Sequence, residues 1–279
     1  MVTGGCGFIG SNLVDKLIFL GHNVIVIDDL SSGKKEYCNN SAKYIFSDFK
    51  KVLLEDNLGL KDIDIIFHLA AESRIQPTFL DPLCACNNNS YGTSIVAEFA
   101  RKNNSKVIYA GSSSFYGGVY LNPYAFTKWQ GEEVLIMYSK VYDLDVGIAR
   151  FFNVYGPRNP LIGQYTPVVA IFEEQRKNRQ CLTIVGDGDQ RRDFTHVHDI
   201  CDGLIAISQN SWKGEIFNLG TGKNYSINEL ADLFGGDKRY ISARSGEARE
   251  TLADISKTTE MTGWTPKYCL EEYIKNLNT

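Results

Sequence analysis

Val2-Thr3-Gly4-Gly5-Cys6-Gly7-Phe8-Ile9-Gly10 opens the chain, and Asp28 follows eighteen residues after its last glycine. An amphipathic run (Leu13, Val14, Leu17, Ile18) comes next and stops at Gly21. The apolar run Val24-Ile25-Val26-Ile27 then ends in Asp28-Asp29. The order is strand, glycine turn, helix, strand, acid. Gly4 permits the tight turn, Gly7 lets the backbone approach a pyrophosphate, and Gly10 allows close helix–strand packing. Amides at the helix start, Phe8 and Ile9 among them, face the anion with the helix dipole behind them. Glycines also end strands for no chemical reason, but here the context and the acid agree. The stretch reads as a dinucleotide-binding turn.

Further along, 43–48, 63–69, 107–110 and 146–151 read as strands, the last two delivering Gly111-Ser112-Ser113-Ser114 and Asn153. Asp81-Pro82 marks a helix start, an N-cap acid with proline behind it. That helix is predicted over 82–101, with Leu83, Ile95, Val96 and Phe99 in the core, and a second over 124–141. Strands alternating with helices mean a parallel sheet covered on both faces. Beyond residue 152 the elements shorten: a helix over 167–178, a strand over 181–185, and a turn over 186–189. Ser226-x-x-Glu229 forms a capping box for a helix ending at Phe234, a strand returns over 215–219, and a last helix spans 270–278. The fold class expected is α/β, a doubly wound parallel-sheet Rossmann domain with a smaller, interleaved α/β substrate-binding domain. The first comprises 1–152 plus about 193–220, the second 153–192 and 221–279. Only Met1-Val2-Thr3 precede the first glycine, so either the first strand is short or it begins upstream.

With 279 residues the chain can bury a sizeable core. Its net charge of −4, from scattered acids and bases, suggests neither nucleic acid nor a membrane surface as partner. No apolar run reaches the roughly eighteen residues of a membrane span. The N-terminus is a nucleotide turn, not a signal peptide. The seven cysteines lack framework spacing and read as buried thiols of a cytoplasmic protein.

Tyr124-Ala125-Phe126-Thr127-Lys128 places a phenol and an ammonium on one helix face. Adjacent positive charge is expected to pull the phenol down toward working pH. Ser112, at the mouth of the fifth strand, could share a hydrogen bond with the reacting hydroxyl. An isolated Tyr-x-x-x-Lys is most often a surface pair; the upstream dinucleotide turn favours catalysis. His196-Val197-His198-Asp199 suggests a metal pair on a strand, but no third ligand is evident and metal is not expected. Asp28 favours NAD over NADP, since its charge would repel a 2′-phosphate and no arginine occurs in 29–33.

Taken together, residues 3–10, Phe67-His68-Leu69-Ala70-Ala71, Tyr124-x-x-x-Lys128, 150–158 and Arg192-Asp193-Phe194 resemble the extended short-chain dehydrogenase/reductase family. The chain is most similar to its NAD-dependent UDP-hexose 4-epimerases, over essentially its whole length. The resemblance implies that Gly4, Gly7, Phe8, Ile9 and Gly10 hold the pyrophosphate and that Asp28 and Asp29 meet the adenosine ribose. It places Asp48 beside the adenine, and Leu69, Ala70, Ala71 and Asn89 along the cofactor. Tyr124 would be the base, Lys128 would also bond the nicotinamide ribose, and Ser112 would complete the catalytic set. Ser113, Asn153, Arg192, Arg244 and Thr251 would line the UDP-sugar site, with Thr251 as gatekeeper beside the C2 substituent. The mechanism implied is reversible oxidation at C4 through a 4-keto sugar. Ser113 and Ser114 stand where dehydratases resemble Asp-Glu, and decarboxylases carry a glutamate at the second, so both readings recede. UDP-glucuronate 4-epimerase and 4-keto-sugar reductase stay open. Relatives commonly form homodimers through the helices at 82–101 and 124–141. The segment 118–123 is shorter than usual in the family, which predicts a more open pocket.

Overall fold

The computed structural model describes residues 1–55, 59–160 and 166–277. Six strands, β1 (Val2–Thr3), β2 (Ile25–Asp28), β3 (Lys43–Phe46), β4 (Ile65–His68), β5 (Lys106–Ser112) and β6 (Val146–Phe151), join Lys213–Leu219 in one seven-stranded sheet. Its order is Lys213–Leu219, β6, β5, β4, β1, β2, β3, and every pairing is parallel. β1 is only two residues long, yet it pairs on both sides, Val2 against Val26 and Phe67. Side chains of these central strands meet helices on both faces, which is why they read as unbroken apolar runs. The chain crosses from one side of β1 to the other at this point, and ligand crevices of such sheets open at such a switch.

Helices Phe8–Phe19 and Val197–Ser208 cover one face with Leu13, Val14, Leu17, Ile200 and Leu204. Phe49–Glu55, Gly92–Asn103 and Pro123–Tyr142 cover the other with Phe49, Val52, Ile95, Phe99 and Leu135. A third cluster, including Tyr155, Phe172, Leu182, Ile184 and Leu230, forms a smaller layer beyond the strand ends. In it Leu182–Val185 pairs in parallel with Lys238–Ile241, and helices Val168–Lys177, Ile227–Phe234 and Leu270–Leu277 pack alongside. Ser226 and Glu229 make the capping box read from the sequence. Residue 278, assigned to the last helix, lies outside the described residues.

Four expectations need correction. The helix predicted over 82–101 is interrupted: Pro82–Ala85 runs into a wider π-type turn, Cys86–Tyr91, before Gly92–Asn103, and Ile75–Leu80 precedes it as a separate helix. Asp81 caps as predicted, accepting from Cys84 N at 2.9 Å, but the first turn faces outward and Leu83 is 79% exposed. Residues 196–199 are not a strand throughout. His196 caps the helix Val197–Ser208 with its ring, while the Asp199 carboxylate accepts from Lys267 N and Tyr268 N. Of the cysteines, all unpaired by disulfide, only Cys6 and Cys201 are buried, and Cys86, Cys181 and Cys269 are exposed.

Candidate active site

A cleft of about 650 Å³ opens across the carboxyl ends of β1, β2, β4, β5 and β6, between the sheet and the smaller layer. Its floor is the glycine turn. Gly4 adopts φ +72°, and a Cβ there would sit 2.8 Å from Ala70 N; a Cβ on Gly10 would sit 2.1 Å from Gly4 O. No side chain caps the helix beginning at Phe8, so no cap competes for its first-turn amides. Asp28 accepts from Cys6 N and from Leu30 N, both at 2.8 Å, which orders the turn and leaves each oxygen a second lone pair. Burial raises its carboxyl pKa. This backbone cradle, with an acid at its edge, fits a dinucleotide.

Gly7, Phe8, Ile9, Asp29, Leu69, Ala70 and Ala71 line the same cleft. Asp48 and Asn89 do not. Asp48 pairs with Lys50 at 3.0 Å, and it is Lys50 that reaches the cleft. Asn89 is buried behind it, its amide bonded to Glu72 N (2.8 Å), Glu72 O (3.1 Å) and Thr127 Oγ1 (3.0 Å). It ties the loop after β4 to the helix Pro123–Tyr142; the π-type turn around it accommodates that inward reach.

Tyr124 lies on the first turn of that helix, which Asn122 caps (Ala125 N, 2.7 Å) and Pro123 begins. Its hydroxyl donates to Ser112 Oγ at 3.2 Å, and Ser112 Oγ lies 2.8 Å from Ser114 Oγ. Lys128, one turn on and buried, holds its amine 4.2 Å from the centre of the Tyr109 ring. The lowering expected for the Tyr124 phenol does not occur in the chain itself. Burial raises it, and the Ser112 hydroxyl offsets only part. The reason is that charge on Lys128 is itself disfavoured: burial pulls its amine down to about 7, with Glu132 opposing.

Glu132, four residues beyond Lys128, forms a buried pair with Arg150 at 2.6 Å. Neither was assigned a role from the sequence, although the spacing puts Glu132 on the Tyr124–Lys128 face. His68, also overlooked, is buried between Thr3 Oγ1 (2.7 Å) and Thr93 Oγ1 (3.3 Å), and burial lowers its imidazole to about 3.

On the opposite wall Asn153 donates to Thr251 Oγ1 at 3.1 Å and to Asp193 O at 3.2 Å. Arg192 and Arg244 flank the carboxylate of Glu247, at 3.6 and 4.0 Å. Ser113 and Thr251 also line the cleft. The short 118–123 segment does not simply leave a gap. Asn122 Nδ2 donates to Gly246 O at 2.8 Å, and a Cβ on Gly117 would meet Ala248 Cβ at 2.7 Å, so residues 246–248 close that side.

A dinucleotide cradle and a Tyr–Ser–Lys group therefore share one cleft with a pair of arginines. Residues 1–220 match the model of the NAD dependent epimerase/dehydratase family. The chain belongs to that family. It is of the extended short-chain dehydrogenase/reductase type, and its cofactor is NAD. A putative UDP-glucose 4-epimerase of Methanocaldococcus jannaschii is 35% identical, over 99% of this chain and 96% of that one. UDP-glucuronic acid decarboxylase 1 of Arabidopsis thaliana is 30% identical, over 99% and 68%. The crystal structure of the Thermotoga maritima UDP-glucose 4-epimerase with UDP-glucose superposes with a TM-score of 0.92 at 32% identity, covering 98% of this chain and 95% of that one. Among the described residues no helix is long and apolar enough to cross a membrane.

Proposed function

We propose that the chain is a UDP-sugar 4-epimerase, interconverting UDP-hexoses or UDP-N-acetylhexosamines through a transient 4-keto sugar. The observation that carries this reading is the Tyr124 hydroxyl at 3.2 Å from Ser112 Oγ, within the cleft that holds the glycine turn. As phenolate, its own proton given up to solvent once the positive charge of bound NAD lies beside it, Tyr124 would take the proton of the sugar 4-hydroxyl, and Ser112 would hydrogen-bond the same oxygen and hold it in place. NAD, when bound, would supply the acceptor for the C4 hydride and, after the 4-keto sugar turns over in the cleft, its donor to the opposite face. Gly4, Gly7 and Gly10 would bring backbone against its pyrophosphate, Asp28 would bind the adenosine ribose, and Lys128 would bond the nicotinamide ribose. Arg192 and Arg244 exchange Glu247 for the UDP diphosphate, a task suited to guanidinium geometry. In this reading residues 1–152 with 193–220 hold the dinucleotide, and 153–192 with 221–279 hold the nucleotide sugar.

Elimination and decarboxylation both call for an acid near the reacting carbon. Ser113 and Ser114 offer none, and the nearby carboxylates are engaged elsewhere: Glu72 with Asn88, Glu247 with the two arginines. NMR of a UDP-sugar panel tests the reading. Inversion at C4 without loss of carbon dioxide is expected, and conversion of UDP-glucuronate to a UDP-pentose would overturn it.

The same reading includes a cytoplasmic homodimer. Ile95 and Phe99 turn inward, but Tyr91, Met137, Val141 and Tyr142 remain exposed on or beside the helices Gly92–Asn103 and Pro123–Tyr142. A monomer by sedimentation at micromolar concentration would remove it.

A further inference from the structure

Arg150 and Glu132 form the most deeply buried ion pair among the described residues, their side chains 5% and 2% exposed. Stability does not account for it. Taking two charges out of water costs about as much as their attraction returns, and apolar side chains of similar volume often serve as well. The pair is held closely all the same. Arg150 Nε donates to Glu132 Oε1 at 3.1 Å and to Oε2 at 3.2 Å, and Nη2 donates to Oε2 at 2.6 Å, a fork that suits an ionised carboxylate. Burial pushes the Glu132 carboxyl up, but Arg150, Lys128 and the Ser112 backbone amide all favour its charged form. Glycine at position 111 makes the approach possible, since a Cβ there would sit 2.7 Å from Glu132 Oε1. The carboxylate is thereby seated against the end of β5 that delivers Ser112.

Lys128 lies one helical turn earlier on the same face as Glu132. Around its amine the helix itself contributes Tyr124 and Glu132, β5 contributes Tyr109, β4 His68, β6 Arg150, and the helix Phe49–Glu55 Lys50. The π-type turn brings the neutral Asn89. Burial lowers the His68 imidazole to about 3 and pushes both phenols up, so none of the three carries charge at neutral pH. Lys50 is engaged by Asp48 and Asn88, and Arg150 by Glu132. The anion left to act on Lys128 is Glu132, which opposes the burial that brings the amine down to about 7. Without it the amine would have only neutral groups and other cations about it.

We infer that Glu132 is a positioning residue of the site: its carboxylate, braced by Arg150, holds Lys128 in the cleft as an ammonium, the form that donates three hydrogen bonds and favours a phenolate on Tyr124. This rests on the Tyr124, Ser112 and Lys128 group of the proposed function and deepens it. Glu132 does not line the cleft, so it acts through Lys128 and not by contact with a ligand. Arg150 also carries the brace to the serine loop, its guanidinium lying 3.5 Å from the centre of the Phe115 ring.

The full chain is labelled with carbon-13 lysine, and the Lys128 signal, identified by its absence from Lys128→Met, is followed by NMR as pH is varied. Wild type is expected to titrate near 7. Glu132→Gln keeps the shape and removes the charge, and should lower the midpoint by about one to three pH units, the effect of one opposite charge at close range. Because that change leaves Arg150 unpaired in the interior, the double variant Glu132→Gln with Arg150→Gln is measured beside it. Its two amides can bond each other, and the midpoint should fall there too. Glu132→Asp keeps both charges but draws the carboxylate back, and should give an intermediate midpoint. With NAD bound, kcat of the two glutamine variants should fall by about tenfold for each unit lost, and the loss should grow from about pH 5 to about pH 8 as the ammonium disappears. The Kd for UDP should change less than about twofold. A midpoint unmoved in all three variants, or a loss of turnover equal at every pH, would overturn the inference and leave the pair a structural brace. Because the midpoint is read without turnover, a protein whose Lys128 titrates as expected but which inverts no UDP-sugar at C4 would refute the epimerase reading and leave this one standing.

Discussion

Replacing Lys128 by methionine should stabilise the NAD-free protein while removing its turnover. Lys128 is 4% exposed, and burial brings the pKa of its amine from 10.5 to about 7. A group whose folded pKa lies below its unfolded value binds protons better when unfolded, so its presence costs stability wherever the unfolded chain is protonated. The cost is complete below about pH 7, shrinks as pH rises, and vanishes near 10.5. At about 1.4 kcal/mol per pH unit this span sets an upper bound of about 5 kcal/mol. The interaction with the Tyr109 ring, about 0.5–2 kcal/mol, is lost in the variant and reduces the gain. A net stabilisation of about 2–4 kcal/mol is expected at pH 6, roughly 5–15 °C in Tm for a chain of this size. Urea unfolding of both proteins between pH 6 and 10, followed by circular dichroism, reads the difference directly. The two curves should converge toward the alkaline end. A variant less stable than wild type at pH 6, or a gap that does not narrow with pH, would refute the reasoning.

Three further outcomes follow from the cleft. Tyr124→Phe should retain NAD and UDP-sugar binding while kcat falls about 10²–10⁴-fold, since the ring still packs but the general base is gone; retention of more than a tenth of the turnover would exclude Tyr124 as base. NAD should bind more tightly than NADP because the Asp28 carboxylate meets the 2′ position, and the reverse order in a fluorescence titration would contradict that placement. Thr251, buried and bonded to Asn153, is small enough to leave room beside it. Thr251→Tyr should therefore suppress turnover of UDP-N-acetylhexosamines and spare plain UDP-hexoses, whereas equal losses on both would show that it is not the gate.

How much of this was legible before the structure depends on the range of the interaction concerned. The run 146–151 forms β6 with the boundaries read from it, because a strand buried on both faces has no polar alternation to confuse it. The capping box at Ser226 is local and was equally plain. The helix Val197–Ser208 was overlooked although Ile200, Leu204 and Ile207 carry helical spacing; two histidines at alternate positions mimicked a strand. The interruption at Cys86–Tyr91 could not be read at all, since it serves contacts between Asn89 and residues far away in sequence. Glu132 was readable from its spacing, but its pairing with Arg150 was not, since only the folded chain shows which carboxylates fall near which arginines.

The carboxylate of Glu247, placed between Arg192 and Arg244, gives the cleft its own counter-ion. A dianion arriving there displaces a resident charge instead of meeting two bare cations, so association is an exchange and its net charge neutralisation is smaller than the two guanidiniums alone would give. Binding should accordingly depend less steeply on ionic strength than a dicationic site predicts. The displaced carboxylate must also find water, and because Glu247 shares its segment with Gly246 and Ala248, which close the side of the cleft over Gly117 and Asn122, that departure is coupled to the wall itself. On the proposed reading, occupancy by the nucleotide and closure over the sugar would thus draw on the same few residues.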